Sequence, residues 1–253
     1  MTSGGITIAG FLLIAAIEIL WPWRPTTRLT AVRWLGNSVL WVLTAVLGFL
    51  WAPLDQLISV QFEIPPLFVL PSWTEIAIAV PALDLLAYGL HRAFHALHPL
   101  WRLHALHHSD PEFDVTTTLR HHPGEWLIMA VVITAAGAGA GLSPSAIAIY
   151  ASINLSVQLF NHANFTVPPL LAKALELVIV TPNLHRIHHS RRIDDASSNY
   201  GMIFSVWDRL FGTYREEPEL GTNRLEFGLD EFRDKAAQRP DRMLWQPLLV
   251  RRT

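Results

Sequence analysis

The chain has no cysteine among its 253 residues. Disulfides, iron–sulfur clusters, thiolate-bound haem and cysteine-built zinc sites are therefore excluded. Charge is also scarce, at 16% of residues against about 25% in a typical soluble domain. With a net charge of -2 and a sequence pI near 6.6, nothing marks nucleic acid as a partner. What fills the chain instead is apolar: 51% of residues are hydrophobic and the mean hydropathy is +0.30. Twelve histidines are what is left for metal chemistry.

The apolar residues gather in runs at about 5–21, 34–52, 74–92, 126–142 and 145–162. These approach the roughly 20 residues that a helix needs to cross a bilayer, so the sequence predicts an all-α, polytopic transmembrane helical bundle. No low-complexity linker divides the chain, and residues 1–253 read as one integral-membrane domain. The first run lacks a basic leader and a cleavage site, so it reads as a span and not as a signal peptide. It ends in Trp21, Pro22, Trp23 and Arg24, an aromatic and basic boundary suited to the membrane interface.

The basic residues set the orientation. None lies between Trp34 and His91 or between His121 and Ala172. The positive-inside rule then puts the Arg24–Arg33 loop in the cytoplasm, the 53–72 loop outside, and residues 93–125 and 163–253 in a cytoplasmic, histidine-rich, metal-binding cap. Ser143 and Pro144 join the fourth and fifth spans in a tight hairpin, where Gly137, Gly139 and Gly141 permit close packing. Pro81 is a potential kink in the third span. Leu170 to Val180 is apolar but short, and reads as an interfacial helix. Every histidine falls on the cytoplasmic side.

Within the cap the histidines repeat a pattern. His91 and His95 share a helix face; His104, His107 and His108 follow at i, i+3, i+4; His185, His188 and His189 repeat that spacing, with LHALHHS matched by LHRIHHS. Eight imidazoles exceed the roughly four to six ligands that one first-row ion takes, so two metals are expected. An all-imidazole set suits iron, copper or zinc and argues against calcium or magnesium. His162 is a ninth candidate, at the end of a polar stripe with Asn154 and Gln158 on an otherwise apolar segment. Asp84, two turns before His91, is a candidate to orient a ligating imidazole or to pair with another helix. His122 is a further candidate for orienting a ligand, Glu18 reads as a paired or snorkelling charge, and His98 has no assigned role.

These residues resemble the fatty acid hydroxylase and sterol desaturase superfamily of membrane-bound di-iron enzymes. The resemblance covers roughly Asp84 to Tyr214 and rests on HRAFH, HALHH and HRIHH, on TTTLRHHPGE, and on NYGMIFSVWDRLFGTY, which begins at Asn199. It departs from the family pattern at two points. Gln158 precedes His162 where the family often has histidine, so an amide acts there through water or leaves a coordination place open. Ser197 stands where an acid is common.

The resemblance implies nine histidines holding two irons, with zinc a possible substitute in purified protein, and dioxygen as co-substrate. Asp84, His122, Gln158 and Asn199 would support the ligands. A lipid from the bilayer would be hydroxylated at a C–H bond, or desaturated on the same site. Electrons would come from a separate protein of ferredoxin, cytochrome or flavin-reductase type. Two other classes are expected to leave different marks: a zinc hydrolase needs a carboxylate base beside an open site, and a metal sensor or transporter needs polar residues along a path through the spans.

Overall fold

The computed structural model describes residues 3–25, 30–61 and 72–251. Helices form at all five apolar runs: α1 (Ser3–Leu20), α2 (Thr30–Gln61), α3 (Ser72–Ala96), then, beyond α4 (His98–His108), α5 (Pro123–Gly139) and α6 (Pro144–Asn161). After them come α7 (Pro169–Glu176), α8 (Pro182–His188) and four-to-five-residue helices. The described residues contain no strand, only the isolated bridges Ile179–Phe204 and Ser190–Phe227. Two helices, Thr30–Leu54 within α2 and α3, are long and apolar enough to cross a membrane; Thr7–Leu20 and α5 are shorter apolar helices.

Proline marks several helix starts, since a first-turn residue needs no intrahelical N–H partner. Pro123, Pro144, Pro169 and Pro182 each begin a helix, and Pro99 sits in the first turn of α4. Inside helices proline is less disruptive than its position suggests. Pro81 lies within α3, and α2 runs through Pro53 to Gln61. The loop expected at 53–72 therefore begins as helix, because proline removes one backbone donor while the residues after it remain helix-compatible; residues 62–71 lie outside the described residues.

The α5–α6 hairpin forms as expected. The Ser143 hydroxyl caps α6 through the Ala146 N–H at 3.2 Å, and Gly141 makes the turn at φ +73°. Of the two helical glycines, only Gly137 is needed for contact: a Cβ there would lie 2.7 Å from Ile147 Cδ1, whereas one at Gly139 would meet nothing within 4 Å.

One face of α3 carries Val80, Leu83, Asp84, Ala87, Tyr88, His91 and Phe94, all buried, at the three-and-four spacing of a helix stripe. Val80, Leu83 and Ala87 form the main core with Ile133, Tyr150 and Ile203. That packing aims the last turn of α3 at α4, and so joins the first two histidine groups.

Buried charges tie the rest together. Glu18 of α1 accepts the Val115 and Asn164 N–H groups at 2.9 and 2.5 Å. Its partners are main-chain N–H groups, so among the described residues it neither snorkels to the surface nor forms an ion pair. Arg33 of α2 is fully buried against Asp110, Glu112 and Asp114. In α7, Leu170 is 87% exposed and Leu171 51%, with Leu177 just beyond the helix at 64%, an outward apolar face on the segment expected at an interface.

Candidate metal centre

The nine histidines named from the sequence come together in two groups. His91, His95, His104, His108 and His188 offer ring nitrogens within 4.8 Å of one another, and so do His107, His162, His185 and His189. The groups adjoin: the His108 and His189 rings stack at 4.5 Å, and His104 lies 5.4 Å from His107. Four elements set this up. The last two turns of α3 bring His91 and His95 and the end of α6 brings His162, while α4 splits its triad between the groups because i+4 lies to one side of i on the helix flank and i+3 to the other, and α8 does the same for His185, His188 and His189.

The ring protons are placed by their partners. His91 Nδ1 donates to the Tyr200 carbonyl, His188 Nδ1 to the Ser198 carbonyl, His104 Nδ1 to Glu125 Oε1 and His162 Nδ1 to the Gln158 carbonyl, each at 2.8 Å. A carbonyl or carboxylate only accepts, so in the neutral ring each Nε2 carries a lone pair. Those lone pairs converge. His91 Nε2 is 3.1 Å from His104 Nε2 and 3.0 Å from His188 Nε2, His108 Nε2 is 3.2 Å from His104 Nε2, and His162 Nε2 is 3.2 and 3.1 Å from the Nε2 atoms of His107 and His185.

Where both rings are fixed, as for His91 facing His104 and His188, two lone pairs do not bond to each other and need a cation between them. Ring nitrogens sharing an ion at about 2.1 Å are separated by about 3.0 Å at a right angle and about 3.4 Å at the tetrahedral angle. The observed spacings, 3.0 to 3.2 Å, fall between these values, so the facing nitrogens of each group are close enough to share an ion. The donor set therefore fits two metal ions.

Electrostatics prepare the ligands. Burial, then crowding by neighbouring imidazoles, holds His107, His108, His185, His188 and His189 well below the usual histidine range. All five are uncharged at neutral pH, the state a metal requires. The sign for stability follows. Below about pH 6.5 the unfolded chain protonates these rings while the folded chain does not, so stability falls as pH drops from that value. Metal-free protein is expected to unfold at a lower temperature at pH 5 than at pH 7.5, and metal-loaded protein to release its ions over the same acid range; a thermal scan and a dialysis series check this.

Of the residues expected to support the ligands, Gln158 meets His162, Asn199 shapes a turn beside the site, and Asp84 takes the alternative of pairing with another element. Asp84 touches no histidine; it accepts the Ile203 and Phe204 N–H groups, both at 3.0 Å, and Trp207 Nε1 at 2.8 Å. Its carboxylate is consumed in anchoring the loop that follows Tyr200. His122 accepts the Gly124 N–H at 3.0 Å and caps α5, since its position before Pro123 makes it the cap residue. Gln158, a residue lining the cavity described below, reaches His162 through its main-chain carbonyl and not through its amide. Asn199, at φ +52°, bonds Leu184 and Arg215 and shapes the turn that presents the Ser198 and Tyr200 carbonyls.

The carboxylate that meets a ligand candidate is Glu125. It accepts from His104 Nδ1 and, at 3.1 Å, from His121 Nδ1, and the His121 ring stacks on His107 at 4.2 Å. The sequence signal was present as His121 and Glu125 four apart at the start of an apolar run. Replacing Glu125 with Gln is expected to weaken metal retention or activity by about 10- to 100-fold, with little change in the helical circular-dichroism spectrum; chelator competition measures the first.

From the histidines a cavity of about 590 Å³ extends between α2, α5 and α6. It is lined along α6 from Asn161 back to Pro144, about 27 Å of helix axis. Its walls include Trp41, Met129 and Ile133, and Ala45, Ala52, Ala148 and Ala151 stand exposed at its rim.

Residues 76–213 match the model of a family described as fatty acid hydroxylase. Among curated proteins, the chain is 31% identical over 175 residues to alkylglycerol monooxygenase of Homo sapiens, covering 66% of this chain and 37% of the relative. It is 31% identical over 131 residues to an ornithine lipid hydroxylase of Rhizobium tropici, covering 52% and 39%, and 26% identical over 200 residues to a very-long-chain aldehyde decarbonylase of Oryza sativa, covering 72% and 30%. The chain thus spans 30 to 39% of the length of these relatives. No solved structure matches it.

Proposed function

The chain belongs to the fatty acid hydroxylase family, and from that premise we propose that it is a membrane-bound di-iron oxygenase that hydroxylates a C–H bond of a lipid. The observation that carries the reading is the set of converging Nε2 lone pairs at the end of a long apolar slot. Two irons bound by the two histidine groups supply the activation of dioxygen and the oxidising power toward the C–H bond. Everything else is the work of the chain's own residues.

In this account His91, His95, His104, His108 and His188 hold one iron, and His107, His162, His185 and His189 the other. The Ser198, Tyr200 and Gln158 carbonyls and Glu125 fix the ring orientations by taking the Nδ1 protons, which leaves each Nε2 free to bind. Asp84 and Asn199 act one step further out, by shaping the segment that carries two of those carbonyls. The slot receives the hydrocarbon of the substrate, and its apolar walls keep bulk water from the reacting carbon. The exposed alanines at the rim are where a lipid slides in sideways from the bilayer.

We place the protein as one multi-pass membrane domain, with spans at the five apolar helices and the histidines on the cytoplasmic side, where a ferredoxin, cytochrome or flavin-reductase partner delivers electrons. The three relatives carry names that refer to alkylglycerol, ornithine lipid and long-chain aldehyde, which supports a lipid substrate. The test is reconstitution in liposomes with isotopically labelled dioxygen, a reductase and NADH. Label in a hydroxylated lipid supports the proposal; an unsaturated lipid with the label only in water makes the protein a desaturase. No oxygen consumption with any lipid, from protein carrying two irons, overturns it.

A further inference from the structure

The apolar slot has a polar wall that the histidine site leaves unexplained. Tyr150, Asn154 and Asn161 all line the cavity and lie on one face of α6, being four and seven residues apart. The Tyr150 hydroxyl, Asn154 Oδ1 and both polar ends of the Asn161 amide are buried with no hydrogen-bond partner. Tyr150 is 2% exposed and Asn161 1%. From α2, Thr44 Oγ1 and Trp51 Nε1 line the same cavity and are buried and unpartnered in the same way.

Inside hydrocarbon each such group costs several kcal/mol, so a cluster of five residues points to a partner that enters from outside the chain. Asn161 is next to His162, and a polar group near the metals reaches it. Asn154 and Tyr150 are about 10 and 16 Å further along the axis, beyond the reach of anything held by the histidines. Their partner belongs to the molecule that fills the slot.

Resting on the reading of this slot as the lipid site, we propose that the Tyr150–Asn154–Asn161 face is a specificity wall. It selects a lipid with hydrogen-bonding groups at two heights, an ester, ether or amide linkage against Asn161 beside the histidines and a second polar group at the level of Asn154 and Tyr150. A plain hydrocarbon chain leaves the wall unpaired and binds weakly.

The test is equilibrium binding to metal-loaded protein in detergent without reductant, so that nothing is oxidised. The probes are octadecane, the methyl ester of octadecanoic acid, and the methyl ester of a mid-chain hydroxyoctadecanoic acid. Each added polar group is expected to tighten binding about ten-fold, the worth of one well-made buried hydrogen bond. Asn161→Leu should erase the preference for ester over alkane and keep that for the hydroxyl. Tyr150→Phe combined with Asn154→Leu should do the reverse. Because the deleted groups are unpaired without ligand, the ligand-free variants should unfold at the same temperature or higher.

Equal binding of the three probes, preferences that survive the variants, or a marked fall in the unfolding temperature would each overturn the wall while leaving the lipid reading standing. Failure of all three probes to bind the unaltered protein would remove both.

Discussion

With two ions held as proposed, protein carrying both His91→Ala and His188→Ala is expected to retain about one metal ion per chain against about two in the unaltered protein, and to lose the proposed lipid oxidation. The two rings face each other at 3.0 Å between Nε2 atoms, and each is locked by a carbonyl on its other nitrogen. Removing both leaves the first group three imidazoles, of which His104 remains bound to Glu125. That is fewer than the roughly four to six ligands a first-row ion takes. The paired variant His162→Ala with His185→Ala should empty the other group and spare the first, because no histidine belongs to both groups. Metal analysis of the two variants separates a two-ion centre from a single shared ion: one ion would be lost completely in either variant, two only by halves.

The second large effect concerns stability. Arg33→Met is expected to destabilise the protein by about 3–5 kcal/mol, the cost of leaving a buried charge without its partner. The guanidinium is fully buried and donates to Asp110, to Asp114 at 2.9 Å and to Glu112 at 3.0 Å. Asn37 of the same helix donates to Asp110 and Thr116 at 3.3 and 3.1 Å and accepts from Arg120. Loss of Arg33 removes a shared partner from three carboxylates, Asp110, Glu112 and Asp114, in the segment that follows His107 and His108, so metal affinity should fall together with stability. Denaturant titration in detergent measures the first and chelator competition the second. A loss under about 1 kcal/mol would mean that the network is solvated, as surface ion pairs are.

The sequence carried the histidine groups because their geometry is local. Spacings of i, i+3, i+4 place imidazoles on one helix flank whatever the rest of the fold does, and a repeat of the same triad fixes a count too large for one ion. His162 was visible for a similar reason, as a polar stripe in an apolar run. The supporting shell was less legible. The acceptors for His91, His188 and His162 are main-chain carbonyls, which every residue has and no composition betrays. Asp84 had the right type and helix face for a histidine partner, yet the loop at Ile203 to Trp207 claims its carboxylate, a contact that spans 119 to 123 residues in sequence.

His122 shows the same limit at short range. Next to Pro123 it becomes the cap of α5, and His121 takes the place beside the histidines. The helices themselves emerged where the apolar runs predicted them, with the largest displaced boundary at Pro53, where a single missing backbone donor does not end α2. Orientation in the membrane rests on the basic residues alone.

Metal per chain, measured by mass spectrometry on protein purified in detergent from iron-supplied cells, tests directly whether the two histidine groups hold a pair of ions. About two ions per chain are expected, counting any zinc that has displaced iron, since zinc outranks ferrous iron for such ligands. One ion or none, unchanged by the paired histidine variants, would contradict it.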